Sequence, residues 1–309
     1  MVMVDLFQYG PKDATVQSLT TLGVIAFLSS FLFFFLDLPS LLLESSDSFS
    51  STWIPSFLVL LWRIICFGVC VSAIVYMFRM KSGQMFVIMH ATKEEKLVHP
   101  LGIEKFVTFS SWTLILNTSY FFLAIMFSLS GFVDGTLPEW LLGSMVGVFA
   151  MAVGSAFLTS TIVRFVILPG ELKKGRNHER QFWFHNQIMH NFCAIFLVGE
   201  ILLCQPNLAP EFMLFGIYIG LFYALFAYPY AKYGGGYYVY SFIDPRLQYA
   251  PFLLSGLAVL VSTFYLGVWL MSVLLSKSGF IGAILFIAWV MLIVQFRSEL
   301  SPEDEIITL

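Results

Sequence analysis

The run Phe182-Trp183-Phe184-His185-Asn186-Gln187-Ile188-Met189-His190-Asn191 holds the side chains best suited to chemistry. Two of the five histidines of the chain fall in it. Helical spacing puts Asn186 one turn before His190, on the same face. The run continues as an apolar segment, Phe192 to Val198, with Glu200 deep inside. Hydrocarbon cannot hydrogen-bond an amide, an imidazole or a carboxyl group, so these must face protein or a wet cavity. A histidine held by a neighbour at the edge of a membrane is equipped for acid–base work. The alternative is a packed, hydrogen-bonded histidine. Cys193, three residues after His190, is a second candidate nucleophile, weakened by its apolar surroundings.

The elements that must position these groups are membrane helices. The chain of 309 residues is 59% hydrophobic and 11% charged, with a mean hydropathy of +0.85. Soluble domains carry about 25% charged residues, so this is an integral membrane protein. Eight apolar runs approach the roughly 20 residues that span about 30 Å of hydrocarbon. They lie near 18–38, 54–78, 105–131, 141–168, 184–204, 210–230, 249–275 and 279–297. The first lacks a basic flank and a clear cleavage site and reads as a retained helix. The expected fold is all-α, a polytopic bundle of about eight transmembrane helices.

Basic residues alternate sharply between the loops. Lys12, the segment Arg79 to Lys105, the segment Arg164 to Arg180, Lys232, Arg246 and Arg297 share one side. Lys277 alone lies opposite, with Glu44, Asp47, Asp134 and Glu139. By the positive-inside rule both termini are cytosolic. The endoplasmic reticulum or another endomembrane is the expected location. In this orientation His190 lies about 10 Å below the cytosolic surface. The start of the third run and the loop Lys232 to Asp244 meet it at that level. Three polar, aromatic-rich stretches at one depth are how a site between helices looks.

Several chemistries are disfavoured. A net charge of −3 and no basic cluster leave no footprint for nucleic acid. Cys66, Cys70, Cys193 and Cys204 sit in apolar runs without histidine or carboxylate partners spaced for a metal, so free thiols and no metal site are expected. Five histidines are too few for a di-iron desaturase. The triplet Gly234 to Gly236 lacks the Gly-Lys-Ser/Thr of a phosphate loop, and no G-x-S-x-G elbow occurs. No helix interior offers a Schiff-base lysine. No internal repeat points to a transporter. No cofactor is implied. Arg63 and Glu200 lie in the same half of the membrane and either pair, or Arg63 snorkels and Glu200 is protonated.

Thr108 opens the third run, where a threonine ordinarily caps a helix. Its neighbours give it further meaning. Lys105-Phe106-Val107-Thr108-Phe109 resembles the Lys-Phe-Leu-Thr-Phe signature of the androgen-induced protein family, integral-membrane threonine hydrolases of fatty acid esters of hydroxy fatty acids. Asn186-Gln187-Ile188-Met189-His190 is similar to that family's Asn-x-x-Met-His. Glu200 follows His190 by ten positions, as the family's glutamate follows its histidine. Gly236-Tyr237-Tyr238-Val239-Tyr240-Ser241-Phe242 resembles Gly-x-Trp-Val-Tyr-Pro-Phe. The motifs keep the family's order across roughly residues 60–275. Ser241 replaces a proline, Tyr238 a tryptophan, and Ser110 or Ser111 an acidic or amide residue. The family core has about six helices, so one is added here at each end. That divides the chain into an added N-terminal helix and loop (17–53), a hydrolase-like core (54–275) and an added C-terminal helix with an acidic tail (276–309).

The resemblance implies that Thr108 is the nucleophile and His190 its base, acting on fatty acid esters or other membrane lipids. The spacing suggests that Asn186 holds the imidazole tautomer. Tyr237, Tyr240 and the amides of the glycine turn are candidate oxyanion donors, with Glu200 in support. A non-catalytic subunit docked to other membrane proteins, a lipid-binding scaffold and a membrane acyltransferase are the other classes open to such a chain. The orientation is directly testable. Cysteines introduced at Ser82 and Ser48 are expected to react with impermeant reagents from opposite sides of the membrane, and labelling from one side would discard it.

Overall fold

The computed structural model describes residues 7–133 and 135–297. The acidic tail expected at the C-terminal end, and Asp134, lie outside the described residues. In chain order the helices are α1 (Thr15–Phe35), α2 (Leu38–Ser46), α3 (Ser56–Arg79), α4 (Phe109–Phe132) and α5 (Glu139–Ile162). A π-turn, Val163–Ile167, carries α5 on into α6 (Leu168–Lys173). The short α7 (Phe184–Gln187) enters a second π-turn, Ile188–Phe192, which continues as α8 (Cys193–Cys204). Then come α9 (Met213–Tyr233), α10 (Ala250–Lys277) and α11 (Gly279–Ile293). The fold is an all-α, polytopic helical bundle, and the chain is an integral, multi-pass membrane protein.

Seven segments are long and apolar enough to cross a membrane: α1, α3, α4, α5 through α6, α7 through α8, Pro210–Tyr233 and α10. The eighth differs from the sequence expectation. α11 has 15 residues, about 22 Å at 1.5 Å per residue, short of a span. It stops at Ile293 because Val294 turns extended, with ψ 147°. The next N–H, that of Gln295, then bonds Asn191 Oδ1 at 3.0 Å. Ser278 alone joins α10 to α11, and the two helices approach very closely there. A Cβ on Gly282 would lie 2.3 Å from Leu275 Cα, so only glycine fits.

Pro55 and Pro138 precede α3 and α5, where a missing N–H costs nothing. The third run does not begin as an α-helix at 105. A 3-10 turn, Gly102–Val107, comes first, and Thr108 caps α4. The loop before it is not wholly irregular. Strand β1 (Met85–Met89) pairs antiparallel with β2 (Glu95–Val98) and with β3 (Tyr237–Tyr238), in the order β2-β1-β3. Met85 and Val87 alternate inward against Val107 and Tyr237, the period-two burial of a strand with one covered face. This small sheet covers one end of the bundle.

α4 packs between α3 and α5, and α5 and α9 pack against α10. Within this apolar core lies an ion pair. Arg63 on α3 and Glu200 on α8 have side chains 1% and 0% exposed and approach to 2.5 Å. Every N–H of the guanidinium has an oxygen partner. Nε and Nη2 donate to Glu200 Oε1 at 2.8 and 2.5 Å. Nη2 also donates to the Phe49 carbonyl, and Nη1 donates to Ser128 Oγ and the Ala124 carbonyl. Tyr120 OH donates to the same carboxylate oxygen at 3.0 Å. Of the two alternatives read from the sequence, pairing is the one realised.

Removing one charge of a buried pair strands the other, at a cost on the order of 3–5 kcal/mol. Glu200→Gln is therefore expected to lower the thermal unfolding midpoint of the purified protein sharply. Adding Arg63→Met is expected to restore part of the loss. Strictly additive losses would show that the two side chains are not coupled.

Candidate functional site

A cavity of about 660 Å³ runs through the sheet-covered end of the bundle. Leu22 and Ile25 of α1, Ile217 and Leu221 of α9, and Leu257 and Val261 of α10 give it apolar walls. Thr108, Ser110, Ser111, His185, His190 and Tyr240 form a polar patch on the remaining side. Val166 and Phe252 also line it, and both lie on the outer surface, 58% and 77% exposed. The cavity therefore opens through the apolar flank of the bundle. Its other end is charged. Arg176 holds Glu95 through bonds of 2.8 and 2.5 Å, and Arg180 pairs with Glu171. The hydrogen bonds from Arg176, opposed by partial burial and aided by Lys174, hold the Glu95 carboxyl below the usual range. The rim's carboxylates and guanidinium groups thus neutralise one another, and Arg176 and Arg180 both lie over the Phe86 ring.

Thr108 is the N-cap of α4 and its Oγ1 accepts the Ser111 N–H at 3.1 Å, satisfying one of the free donors of the first turn. Oγ1 also lies 2.6 Å from Ser111 Oγ and 3.2 Å from Ser110 Oγ. Ser111 Oγ donates to the Lys105 carbonyl at 3.2 Å. With that proton committed, Thr108 is the donor to Ser111. The Lys105 ammonium closes the preceding helix, donating to the Met77 carbonyl at 2.9 Å and to that of Met80. Cations suit the carbonyl end of a helix.

His190 sits in the second π-turn, 7% exposed, and lines the cavity. His185 does the same at 8% and stacks on Tyr76 with ring centroids 5.6 Å apart. Neither Nδ1 has a hydrogen-bond partner among the described residues. Trp62 Nε1, Asn117 Oδ1 and Tyr228 OH, which do not line the cavity, are likewise buried without a partner among the described residues, so it is their place on the cavity wall that marks these two histidines. Thr108 and His190 share the cavity, yet no hydrogen bond joins them among the described residues.

The structure separates the supporting residues. Asn186 lines the cavity but does not hold the His190 ring. Its Nδ2 donates to the Arg180 carbonyl at 2.6 Å, within the 3-10 turn Glu179–Phe182 that precedes α7, and the π-turn that holds His190 displaces it from the α-helical register that the spacing assumed. Glu200 lies with Arg63 in the core and does not line the cavity. Tyr237 is also elsewhere. Its hydroxyl donates to Glu104 Oε1 at 2.9 Å and sits 3.0 Å from Tyr230 OH, beneath the sheet. Burial, Tyr230 and Glu104 together raise its pKa, which makes it a fixed structural donor. Tyr240 does reach the site. Its hydroxyl accepts the Phe109 N–H at 3.2 Å, at the mouth of α4. Burial pushes the phenol up to about 12, so it keeps its proton at neutral pH.

Ser111 and His185 belong to the site, although sequence reasoning assigns neither a role of its own. Ser111 carries one signal, standing where the family pattern puts an acidic or amide group. His185 has its place one residue from Asn186. Cys193 is fully buried in the core and away from the cavity. Comparison with protein-family models, with curated proteins and with solved structures finds no match to this chain.

Proposed function

We propose that the chain is a membrane-embedded lipid ester hydrolase with Thr108 as nucleophile and His190 as base. The observation that carries this reading is their meeting in one apolar-walled cavity that opens through the flank of the bundle. The motif resemblance gives the two residues their roles. An ester with a long apolar chain matches the walls, with its carbonyl at the polar patch.

In this mechanism Thr108 Oγ1 attacks the ester carbonyl while His190 takes its proton, directly or through one water. The new Oγ1–acyl bond forms as the ester C–O bond breaks, and the imidazolium returns the proton to the departing alcohol. Water, deprotonated by His190, then releases the fatty acid and restores the hydroxyl. The Thr108–Ser111 bond must yield for the attack, since it occupies the proton that His190 has to take. The developing oxyanion forms beside the first turn of α4, where the N-terminal dipole favours negative charge. Of the two candidate tyrosine donors, Tyr240 is the one that lines the cavity. The sheet-covered end faces the cytosol on the distribution of basic residues, and an endomembrane is the proposed location.

A second reading has its own observation. Thr108 is fully engaged as a cap and is not bonded to His190, which suits a lipid-binding scaffold or a non-catalytic subunit of a membrane complex. One series of measurements separates the two. Purified protein is given straight and branched fatty esters, fatty acid release is followed, and a fluorophosphonate probe is applied. Thr108→Ala is expected to abolish turnover and labelling while costing only about 1 kcal/mol of capping energy. His190→Ala is expected to abolish both, and Thr108→Ser to keep some turnover because the hydroxyl survives. Full turnover by Thr108→Ala overturns the threonine mechanism, and an inert wild-type protein favours the scaffold.

A further inference from the structure

Two π-turns wall the cavity from different helices. Val163 and Ile167 of the first turn line it, as do Met189 and His190 of the second. π-turns are rare, and each interrupts the regular ladder of the helix that contains it. Something outside the helix has to favour them over a plain α-helical register. The same short segment supplies it at both turns. After α11 the chain runs on as Val294-Gln295-Phe296. Arg164, in the first π-turn, donates through Nη1 to the Val294 carbonyl at 2.5 Å and to the Met291 carbonyl at 3.3 Å. Asn191, in the second π-turn, donates through Nδ2 to the Gln295 carbonyl at 2.8 Å and accepts the Gln295 N–H at 3.0 Å. That reciprocal pair makes the Asn191 side chain behave like a short strand partner. The Phe192 and Phe296 rings meet edge to face at 5.6 Å beside it.

We infer that the segment Val294–Phe296 is a brace that fixes both π-turns, and that Asn191 and Arg164 are positioning residues acting through it on the orientation of His190. Asn191 is the immediate neighbour of His190, so a change of register at this turn rotates the imidazole. One residue of α-helical register is about 100°, enough to take the ring out of the cavity wall. A displacement of about 1 Å in a catalytic group can cost 10²-fold in rate. The inference rests on the proposed role of His190, yet the bracing itself can be read without turnover.

The decisive variant is Gln295→Pro in the full chain. It deletes the N–H that Asn191 accepts, lies outside every helix, and follows the end of α11, where proline is well tolerated. Arg164→Met is the second variant, removing the other anchor without touching the turn that carries His190. Ile287→Ala, on the exposed face of α11, is the control. Two quantities are measured: the rate of carbethoxylation of His190 by diethylpyrocarbonate, read by peptide mass spectrometry, and kcat and KM on a fatty ester. With the brace released, His190 is expected to react at least fivefold faster, because it loses its enclosure. The expected loss in kcat is tenfold or more, with KM within twofold. Arg164→Met is expected to move both in the same direction by less, and Ile287→Ala to move neither. A structural element without influence on His190 would lower stability and leave its reactivity unchanged. Should hydrogen exchange show the segment detached while His190 reactivity stays within twofold of wild type, in whichever of the two variants folds, the brace is overturned. Should the wild-type protein hydrolyse no ester, the hydrolase reading fails, and the carbethoxylation rates still decide the brace.

Discussion

The guanidinium of Arg63 is the fixed point of this bundle. A charge in hydrocarbon is tolerated only when every donor has an acceptor, and here the five N–H groups meet oxygens from three separate pieces of chain. Glu200 ties in α8, Ala124 and Ser128 tie in α4, and the Phe49 carbonyl ties in the turn after α2. The side chain itself belongs to α3. A shift of any of these by a fraction of an ångström breaks a bond that no water replaces. The relative heights of α3, α4 and α8 are therefore set by geometry, where apolar packing alone would let them slide. Thr108 and His190 stand near the opposite ends of two of those helices, so their separation inherits that constraint.

Away from the ion pair the polar groups divide by depth. The guanidinium of Arg63 is fully matched in the core while Glu200 Oε2 beside it is not, and at the rim Arg176 and Arg180 meet Glu95 and Glu171 although Arg180 Nε stays without a partner among the described residues. Between the two lies the polar patch of the cavity, where two imidazole nitrogens stand without partners among the described residues. Unpaired buried groups carry a free-energy cost of about 1–3 kcal/mol each. The two histidines differ from the other unpartnered buried groups of the core, such as Trp62 Nε1 and Asn117 Oδ1, in lining the cavity.

Much of this is legible in the amino-acid sequence. An arginine and a glutamate in otherwise apolar runs are so costly that each needs a partner or a way out, and their shared half of the membrane makes pairing one of two readings, which the structure decides. Seven of the eight apolar runs read as spans are long enough to cross a membrane, and the similar depth that helix arithmetic gives Thr108 and His190 agrees with their lining one cavity. What stays hidden has a common cause. Periodicity reads an α-helix, and a π-turn leaves no mark on composition, so helical spacing misplaces Asn186 against His190. The strands escape because Met85 to Met89 is short and lies in a charged loop. The end of α11 escapes because Val294 and Gln295 leave the helix for a tertiary contact with Asn191, which hydropathy cannot see. Tyr237 and Tyr240 are three residues apart, and only the structure shows that Tyr237 lies in β3 with its hydroxyl on Glu104, while the chain after β3 carries Tyr240 to the mouth of α4.

The opening past Val166 and Phe252 changes what selectivity means for whatever enters. A molecule arriving from water gains free energy by burying its chain, about 0.8 kcal/mol for each methylene. A molecule arriving sideways from the bilayer gains almost none, because lipid tails are as apolar as leucine. Chain length then discriminates only through fit, and the few hydroxyl, imidazole and phenol groups of the polar patch carry nearly all of the preference. Under the proposed hydrolase function the relevant measure of substrate is its mole fraction in the membrane, so diluting the surface with inert lipid would slow turnover even when the bulk concentration is held constant.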